Sequence, residues 1–273
     1  MAEISAKDVM KLRNKTGLPM MACKKALAET GGDVDAAEEY LRKQLKGKME
    51  TRTERAAGEG RIAIAVNERS GSAAIVELRA ETDFTARNEQ FVAAAKKVAE
   101  LAVDGPAGQV TEPTDEMRAP IDELRISTGE NIGFARAHKM IGESGTTAYG
   151  SYVHHDGKTG VLVQATGDIS EETLRQICMH ITAVTPRPLG VTKDDIPANM
   201  VEKERKFRLE QAMESGKPQE IAEKMVEGGM RKFYEEVALL EQPFVMDPSK
   251  KIRDIVGPAT IEGFIRWAVG ESH

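Results

Sequence analysis

The chain has 273 residues, of which 30% are charged, 40% apolar and only 4% aromatic, and its formal net charge is -6. That length holds a real core, usually of two domains or one domain with appendages, and the composition is that of a soluble, helix-leaning protein. The acidic balance speaks against a strongly cationic nucleic-acid binder, though not against a local basic patch. Residues 1–55 carry 12 Lys/Arg against 9 Asp/Glu and the remainder 26 against 35, a mildly basic head on an acidic body. Cys23 and Cys178 lie far apart, which implies no disulfide framework and fits a reducing compartment. The first residues, MAEISAKDVM, contain no apolar signal-peptide run, and no stretch has the apolar length of a membrane span. A cytoplasmic protein is expected, with neither a membrane nor a nucleic acid as direct partner.

Residues 5–46 read as three short helices. Ser5 caps the first, with Asp8 as its capping-box partner, and Thr16-Gly17 stops it. Pro19 opens the second, whose apolar face takes Met20, Cys23 and Leu27. Neighbours on a helix cannot both point inward well, so one of Met20 and Met21 is a candidate surface methionine, a side chain suited to binding faces. Gly31-Gly32 breaks this helix, and Asp33 caps a third with Val34, Ala37, Tyr40 and Leu41 along one face. The polar, glycine-bounded segment 46–60 reads as a linker, helical in part.

Two apolar runs flank Ser70-Gly71 in RIAIAVNERSGSAAIVELRA and predict a β-hairpin. The stretch RAETDFTARNEQF follows, 79–91. It places Phe84, a large ring, in a strand-to-helix connection beside Thr82, Asp83 and Arg87, where such a side chain is not ordinary filler. A helix over 89–103 is capped by Asn88. Thr114 begins another, with acidic residues in its first turn, and Gly129 ends it. NIGFARAHKMI, 131–141, reads as a strand.

The pattern then recurs. TAYGSYVHH and TGVLVQATG form a hairpin around Asp156-Gly157, and Ser170 caps a helix that runs to Val184. ATIEGFIRWAVG, 259–270, is a returning strand in which Gly263-Phe264-Ile265-Arg266 echoes Gly133-Phe134-Ala135-Arg136. The shared order of elements points to a diverged internal duplication. The second copy carries an insertion. Asn199 caps MVEKERKFRLEQAME with Glu202 as partner, Ser215-Gly216-Lys217-Pro218 turns the chain, and a second helix aligns Ile221, Ala222, Met225, Val226, Met230 and Phe233. The fold class is α+β. A three-helix module with its linker spans 1–55, one core subdomain 56–141, a second 142–190 with 229–273, and a projecting antiparallel helical hairpin 191–228.

Motifs for catalysis are few. Gly157-Lys158-Thr159 mimics the tail of a phosphate-binding loop, but position 152 is Tyr and the segment lies in a hairpin turn, so it reads as a turn. No H-E-x-x-H or paired C-x-x-C supports a metal, and no cofactor is implied. Cys178 and His180, two apart on a helix, point to different sides and read as core rather than as nucleophile and base. His154 and His155 lie on a predicted strand end, where alternation sends them to opposite faces and leaves one free for a partner.

KLRNKTGLPMMACKKALAETGGDVDAAEEYLRK, the T-D-F tripeptide at 82–84 with Arg87-Asn88, AMESGKPQEIAEKMVEGGMRKF and QPFVMDPSK together resemble the bacterial elongation factor Ts family over nearly the whole chain. The resemblance implies that the first module is like a ubiquitin-associated domain. It implies a guanine-nucleotide exchange factor, not an enzyme, whose partner is the GTPase elongation factor Tu. Phe84 would be a wedge between two helices of the partner's nucleotide domain, oriented by Asp83, disturbing the magnesium and phosphate cradle that holds GDP. A thousandfold weakening needs roughly 4 kcal/mol of coupling, whereas burying one Phe contributes about 1.5–3 kcal/mol, so a broad interface must share the work. Arg13, Met20, Met21 and Lys24 are implied to grip the nucleotide domain. Thr128-Gly129 stand where a relative has Ile-Gly, which shortens an apolar contact. His154 and Val237 match further interface positions. A homodimer or a 2:2 complex is compatible with this reading. Longer members continue into a C-terminal helix, a contact expected to be absent here. The competing readings are a generic adaptor built on the helical head and an enzyme hidden in the acidic core. Only the exchange factor would accelerate GDP release, and only the enzyme would need a deep polar pocket.

Overall fold

A computed structural model describes residues 4–16, 18, 20–50, 56–214 and 218–271, with the backbone alone for 45–50. The expectations placed on Gly17, Pro19, Ser215 to Lys217 and the linker residues 51–55 lie outside the described residues. The chain is a mixture of helices and antiparallel sheets, as the α+β reading requires. It divides into two compact units. One is Met1–Ala63 with Val76–Lys139 and Val269–His273, the other Ile64–Ile75 with Met140–Ala268.

The first unit opens with α1 (Ala6–Thr16), α2 (Met20–Glu29) and α3 (Val34–Glu50). Ser5 Oγ accepts from the Asp8 N–H at 3.1 Å, and Asp33 Oδ1 accepts from the Asp35 and Ala36 N–H groups, so both caps form. Val9, Leu12, Leu18, Cys23, Ala26, Leu27, Ala37 and Leu41 make one small core. The buried stripe of α2 is Cys23, Ala26 and Leu27, spaced i, i+3, i+4. Met20 does not belong to it. As the first residue of the helix it projects past the stripe's end, and both Met20 (47%) and Met21 (74%) are exposed. Helix α3 runs on to Glu50, so residues 46–50 of the expected linker are helical. Ile126 of a later helix packs on this core.

One sheet contains β1 (Glu59–Asn67), β2 (Ser72–Ala80), β3 (Gly108–Val110) and β4 (Gly133–Ile141) in the order β1-β2-β4-β3. The strand β3 was not anticipated, because three residues carry no alternation to read. It pairs antiparallel to β4, Gly108 opposite Lys139. Between strands run α4 (Asp83–Arg87), α5 (Glu89–Asp104) and α6 (Asp115–Thr128). Asn88 and Thr114 cap α5 and α6 as expected, through the N–H groups of Gln90 and Met117. Phe91, Ala95, Val98, Ala99 and Ala102 form the buried face of α5, and Met117, Ile121 and Leu124 that of α6. Deep in this unit Glu77, 1% exposed, accepts from Arg136 Nε at 2.7 Å and from the Gly270 N–H at 3.0 Å, with Arg79 Nε 2.7 Å away.

The second unit contains β5 (Thr147–Val153), β6 (Thr159–Thr166), α7 (Glu171–Ala183), α8 (Ala198–Glu214), α9 (Gln219–Val237), β7 (Pro243–Phe244), β8 (Asp247–Lys251), α10 (Ile252–Val256) and β9 (Thr260–Ala268). β5, β6 and β9 form an antiparallel sheet in that order, Gly160 opposite both Val153 and Trp267. Ser170 caps α7, which packs on the sheet where Gly150 lacks a side chain. A Cβ there would stand 2.6 Å from Leu174 Cβ. The short pair β7 and β8, and the single helical turn α10, were not foreseen.

Helices α8 and α9 form the hairpin, with a core of Ile196, Ala212, Ala222, Val226, Met230, Phe233, Val237 and Ala238. Two details of the reading are corrected. Asn199 is not the cap of α8. The helix opens one residue earlier, with the Pro197 carbonyl accepting from the Met200 and Val201 N–H groups, so Asn199 sits inside the first turn. The stripe of α9 is Ala222, Val226, Met230, Phe233 and Val237. Ile221 (46%) and Met225 (37%) lie one residue, hence about 100°, off it and face outward.

Candidate partner-binding site

The helix α4 that carries Phe84 is one turn long, too short to be stable by itself. Its ends are fixed by side chains. Thr82, in extended backbone, is the N-cap, and its Oγ1 accepts from the Thr85 N–H at 3.3 Å. Asn88 closes the turn, donating its N–H to the Thr85 carbonyl. Its Oδ1 accepts from the Gln90 N–H and so starts α5. One polar residue thus ends one helix and begins the next, which makes the corner sharp. Ala86 anchors the inner side at 4% exposure. Phe84, two residues and about 200° away, points outward at 85% exposure. Asp83 and Arg87 form an exposed i, i+4 ion pair at 3.4 Å, a contribution of about 0.5 kcal/mol or less.

Residues distant in sequence meet this turn. Gly129 ends α6 in the left-handed region (φ 70°) that favours glycine, and its N–H donates to the Arg125 carbonyl. Thr128 Oγ1 donates to the Leu124 carbonyl at 2.7 Å and accepts from the Glu130 N–H at 3.2 Å. Glu130 then reaches Thr82 and Thr85. Thr82, Asp83, Phe84, Thr128 and Gly129 are therefore neighbours, joined through a glutamate that sequence reasoning missed. No local signal marks Glu130, since its partners lie 45 and 48 residues away.

The other expected site residues stand elsewhere. Arg13, Met20, Met21 and Lys24 are exposed on α1 and α2. In the second unit His154 is half-buried, with Tyr152 Oη 3.2 Å from its Nδ1. The strand-end reading of the two histidines is corrected. β5 ends at Val153, and the Gly157 N–H donates to the His154 carbonyl in a turn. The rings of His154 and His155 lie 4.2 Å apart, centroid to centroid, instead of on opposite faces. Alternation stops where the ladder stops. Val237 is buried at the root of the hairpin, 6% exposed.

Gly157 and Lys158 lie in that same turn, with Asp156 Oδ1 accepting from the Lys158 N–H at 2.8 Å, and Thr159 opens β6. Cys178 is buried, and burial pushes its thiol pKa far up, the opposite of an activated nucleophile. The buried His180 accepts from the Val245 N–H at Nδ1 and is left to donate through Nε2 to Gln242 Oε1 at 3.0 Å. Burial holds its pKa below the usual imidazole value against the raising effect of Gln242. Among the described residues no group of three His, Cys, Asp or Glu side chains is arranged to hold a metal ion. No helix among them is long and apolar enough to cross a membrane.

A sequence profile described as elongation factor TS matches residues 81–271. Over 296 aligned residues the chain is 42% identical to elongation factor Ts of Maricaulis maris, covering 99% of this chain and 93% of that protein. Over a similar span it is 40% identical to elongation factor Ts of Caulobacter vibrioides, with 99% and 94% covered. It is 42% identical to that of Vibrio cholerae over 274 residues, with 98% and 92% covered.

Proposed function

The chain belongs to the elongation factor Ts family, and from that premise we propose how it releases GDP from elongation factor Tu during translation elongation. Members of this family are nucleotide exchange factors rather than enzymes. In our reading the Asp83–Phe84 loop enters the GTPase nucleotide domain, and the ring displaces the elements that hold magnesium and phosphate. The observation that carries this is Phe84, 85% exposed on a turn fixed at both ends. A large ring held rigidly in solvent loses little freedom when a partner buries it, the usual character of an interface hot spot.

The remaining roles are assigned by the same reading. The module at 1–55, ubiquitin-associated-like, grips the nucleotide domain with Arg13, Met20, Met21 and Lys24, whose exposure suits that task. His154 adds a contact from the second unit. Val237, being buried, contributes by fixing the hairpin root rather than by touching the partner. The core is two diverged copies of one subdomain, 56–141 and 142–190 with 229–273. The two G-F-x-R segments on β4 and β9 support this, as do the capped helices α5 and α7 that follow the hairpins. The hairpin is the insertion, and because α9 continues unbroken to Val237 it runs nine residues past the expected boundary at 228. Coupling is reciprocal, so nucleotide must loosen the factor as much as the factor loosens nucleotide, and this allows turnover.

The test is release of fluorescent GDP from the cognate elongation factor Tu with and without the chain. Acceleration at substoichiometric concentrations is expected. Binding without acceleration would identify an adaptor instead.

A further inference from the structure

The five residues of α4 cannot hold the Phe84 ring in place by helix propensity, since a single turn does not repay its own nucleation. What holds it is a carboxylate from another element. Glu130 Oε1 accepts from the Thr82 hydroxyl at 2.7 Å and from the Thr85 hydroxyl at 2.6 Å, and Oε2 accepts from the Thr82 N–H at 3.2 Å. Hydrogen bonds to an ionised acceptor are the stronger kind. The Thr82 hydroxyl also accepts from the Thr85 N–H, so the charge backs the very group that caps the turn. Glu130 is itself held, through its N–H on Thr128 Oγ1 and that hydroxyl's bond to the Leu124 carbonyl. One residue further on, the Asn131 N–H donates to Glu81 Oε1 at 2.7 Å. The clasp is therefore mutual. A glutamate of each segment grips the backbone or hydroxyls of the other, just past the left-handed Gly129.

We infer that Glu130 is the positioning residue of the exchange loop, an inference that rests on the exchange reading above. It reaches Thr82 and Thr85 and acts on the partner only through the ring those residues aim. An element that must displace helices of another protein has to resist being pushed back, and three bonds to one buttressed carboxylate supply that resistance. Thr128 and Gly129 then serve exchange by aiming Glu130, whatever either touches on the partner.

The experiment compares wild type, Glu130→Ala, Glu130→Gln, Phe84→Ala and the Phe84→Ala/Glu130→Ala double variant in GDP release from the cognate elongation factor Tu, as full saturation curves. Glu130→Ala should lower the maximal rate about tenfold, the effect of losing one charged hydrogen-bond set. The half-saturating concentration should stay nearly constant, because the docking surfaces are intact. Glu130→Gln, which keeps an acceptor for the two hydroxyls, should recover most of the loss. In the Phe84→Ala background the Glu130 change should add almost nothing, since the ring it aims is gone. Wild-type release by Glu130→Ala, or a full loss added to that of Phe84→Ala, overturns the inference. If Glu130→Ala does not fold, Thr85→Val removes one of the three bonds and should still slow release measurably; unchanged release overturns the inference there too. Wild-type release by Phe84→Ala would sink the exchange-loop reading instead. The clasp is then read directly from amide hydrogen exchange at Thr85 and Ala86. Faster exchange in Glu130→Ala upholds it, and unchanged exchange removes it.

Discussion

Glu77→Ala is expected to destabilise the first unit strongly. The carboxylate is 1% exposed and meets Arg136 Nε at 2.7 Å, Arg79 Nε at 2.7 Å and the Gly270 N–H. Removing it takes from the Arg136 guanidinium, with only 8% of its side chain exposed, the carboxylate that meets its Nε at 2.7 Å in the interior. Breaking one side of a buried ion pair costs about 3–5 kcal/mol, because the surviving charge keeps its desolvation penalty. Arg79, 23% exposed, can turn partly to water, which favours the lower half of that range. At about 2–4 °C per kcal/mol for bodies of this size, the midpoint should fall by roughly 6–20 °C. Scanning calorimetry measures the midpoint, and amide exchange at Gly270 reports whether that residue comes away from the site. The cause is separated from mere loss of volume by the double variant Glu77→Leu/Arg136→Met. It replaces the pair with apolar groups of similar size and should regain most of the stability. A midpoint unchanged in Glu77→Ala, or a double variant no better than the single one, would refute the reasoning.

Three further outcomes are expected. Met20→Ser/Met21→Ser should leave thermal unfolding within about 0.5 kcal/mol of wild type, since both side chains are exposed, while weakening binding to nucleotide-free elongation factor Tu in titration calorimetry; equal affinity would remove the module's proposed grip. Unfolding stability should be greatest above the ordinary imidazole pKa of about 6.5 and decline as pH drops from there toward the depressed folded value of His180, because the unfolded state takes up the extra proton. His180→Gln should flatten that decline in urea titrations at pH 7.5 and 5.5, and an unaltered slope would dismiss His180 as its source. Replacing 202–232 with a short Gly-Ser turn should preserve the cooperative unfolding of the sheet β5-β6-β9 with α7, whose core shares no residue with that of the hairpin. Loss of that transition would show that the hairpin is no separable insertion.

Much of this architecture is written locally. Asn88, Thr114 and Ser170 mark helix starts through hydrogen bonds made within three residues, and such signals survive in a single sequence. Phe84 was legible as an apolar ring among loop residues, and its exposure agrees. What was hidden depends on distance or brevity. A one-turn helix and a three-residue strand are too short to show a period. Met20 fits the apolar stripe by angle and leaves it only because the helix begins there. His154 and His155 break alternation because the strand ends at Val153, two residues earlier than its composition implied. Glu130 and Glu77 act on partners dozens of residues away, and only the second left a trace, as a single carboxylate inside the apolar run AAIVEL. The echo of Gly133-Phe134-Ala135-Arg136 is visible as a repeat, but that Arg136 meets Glu77 is visible only in the fold.

The central claim is that one outward-facing ring opens the nucleotide site of elongation factor Tu while the rest of the chain keeps it seated. The most direct measurement is the maximal rate of GDP release driven by Phe84→Ala, beside its thermal midpoint. Removing a ring whose burial is worth about 1.5–3 kcal/mol should slow release by roughly ten- to a hundredfold. The midpoint should not move, because the ring packs on almost nothing in its own chain. A correctly folded Phe84→Ala chain that releases GDP at the wild-type rate would contradict the account.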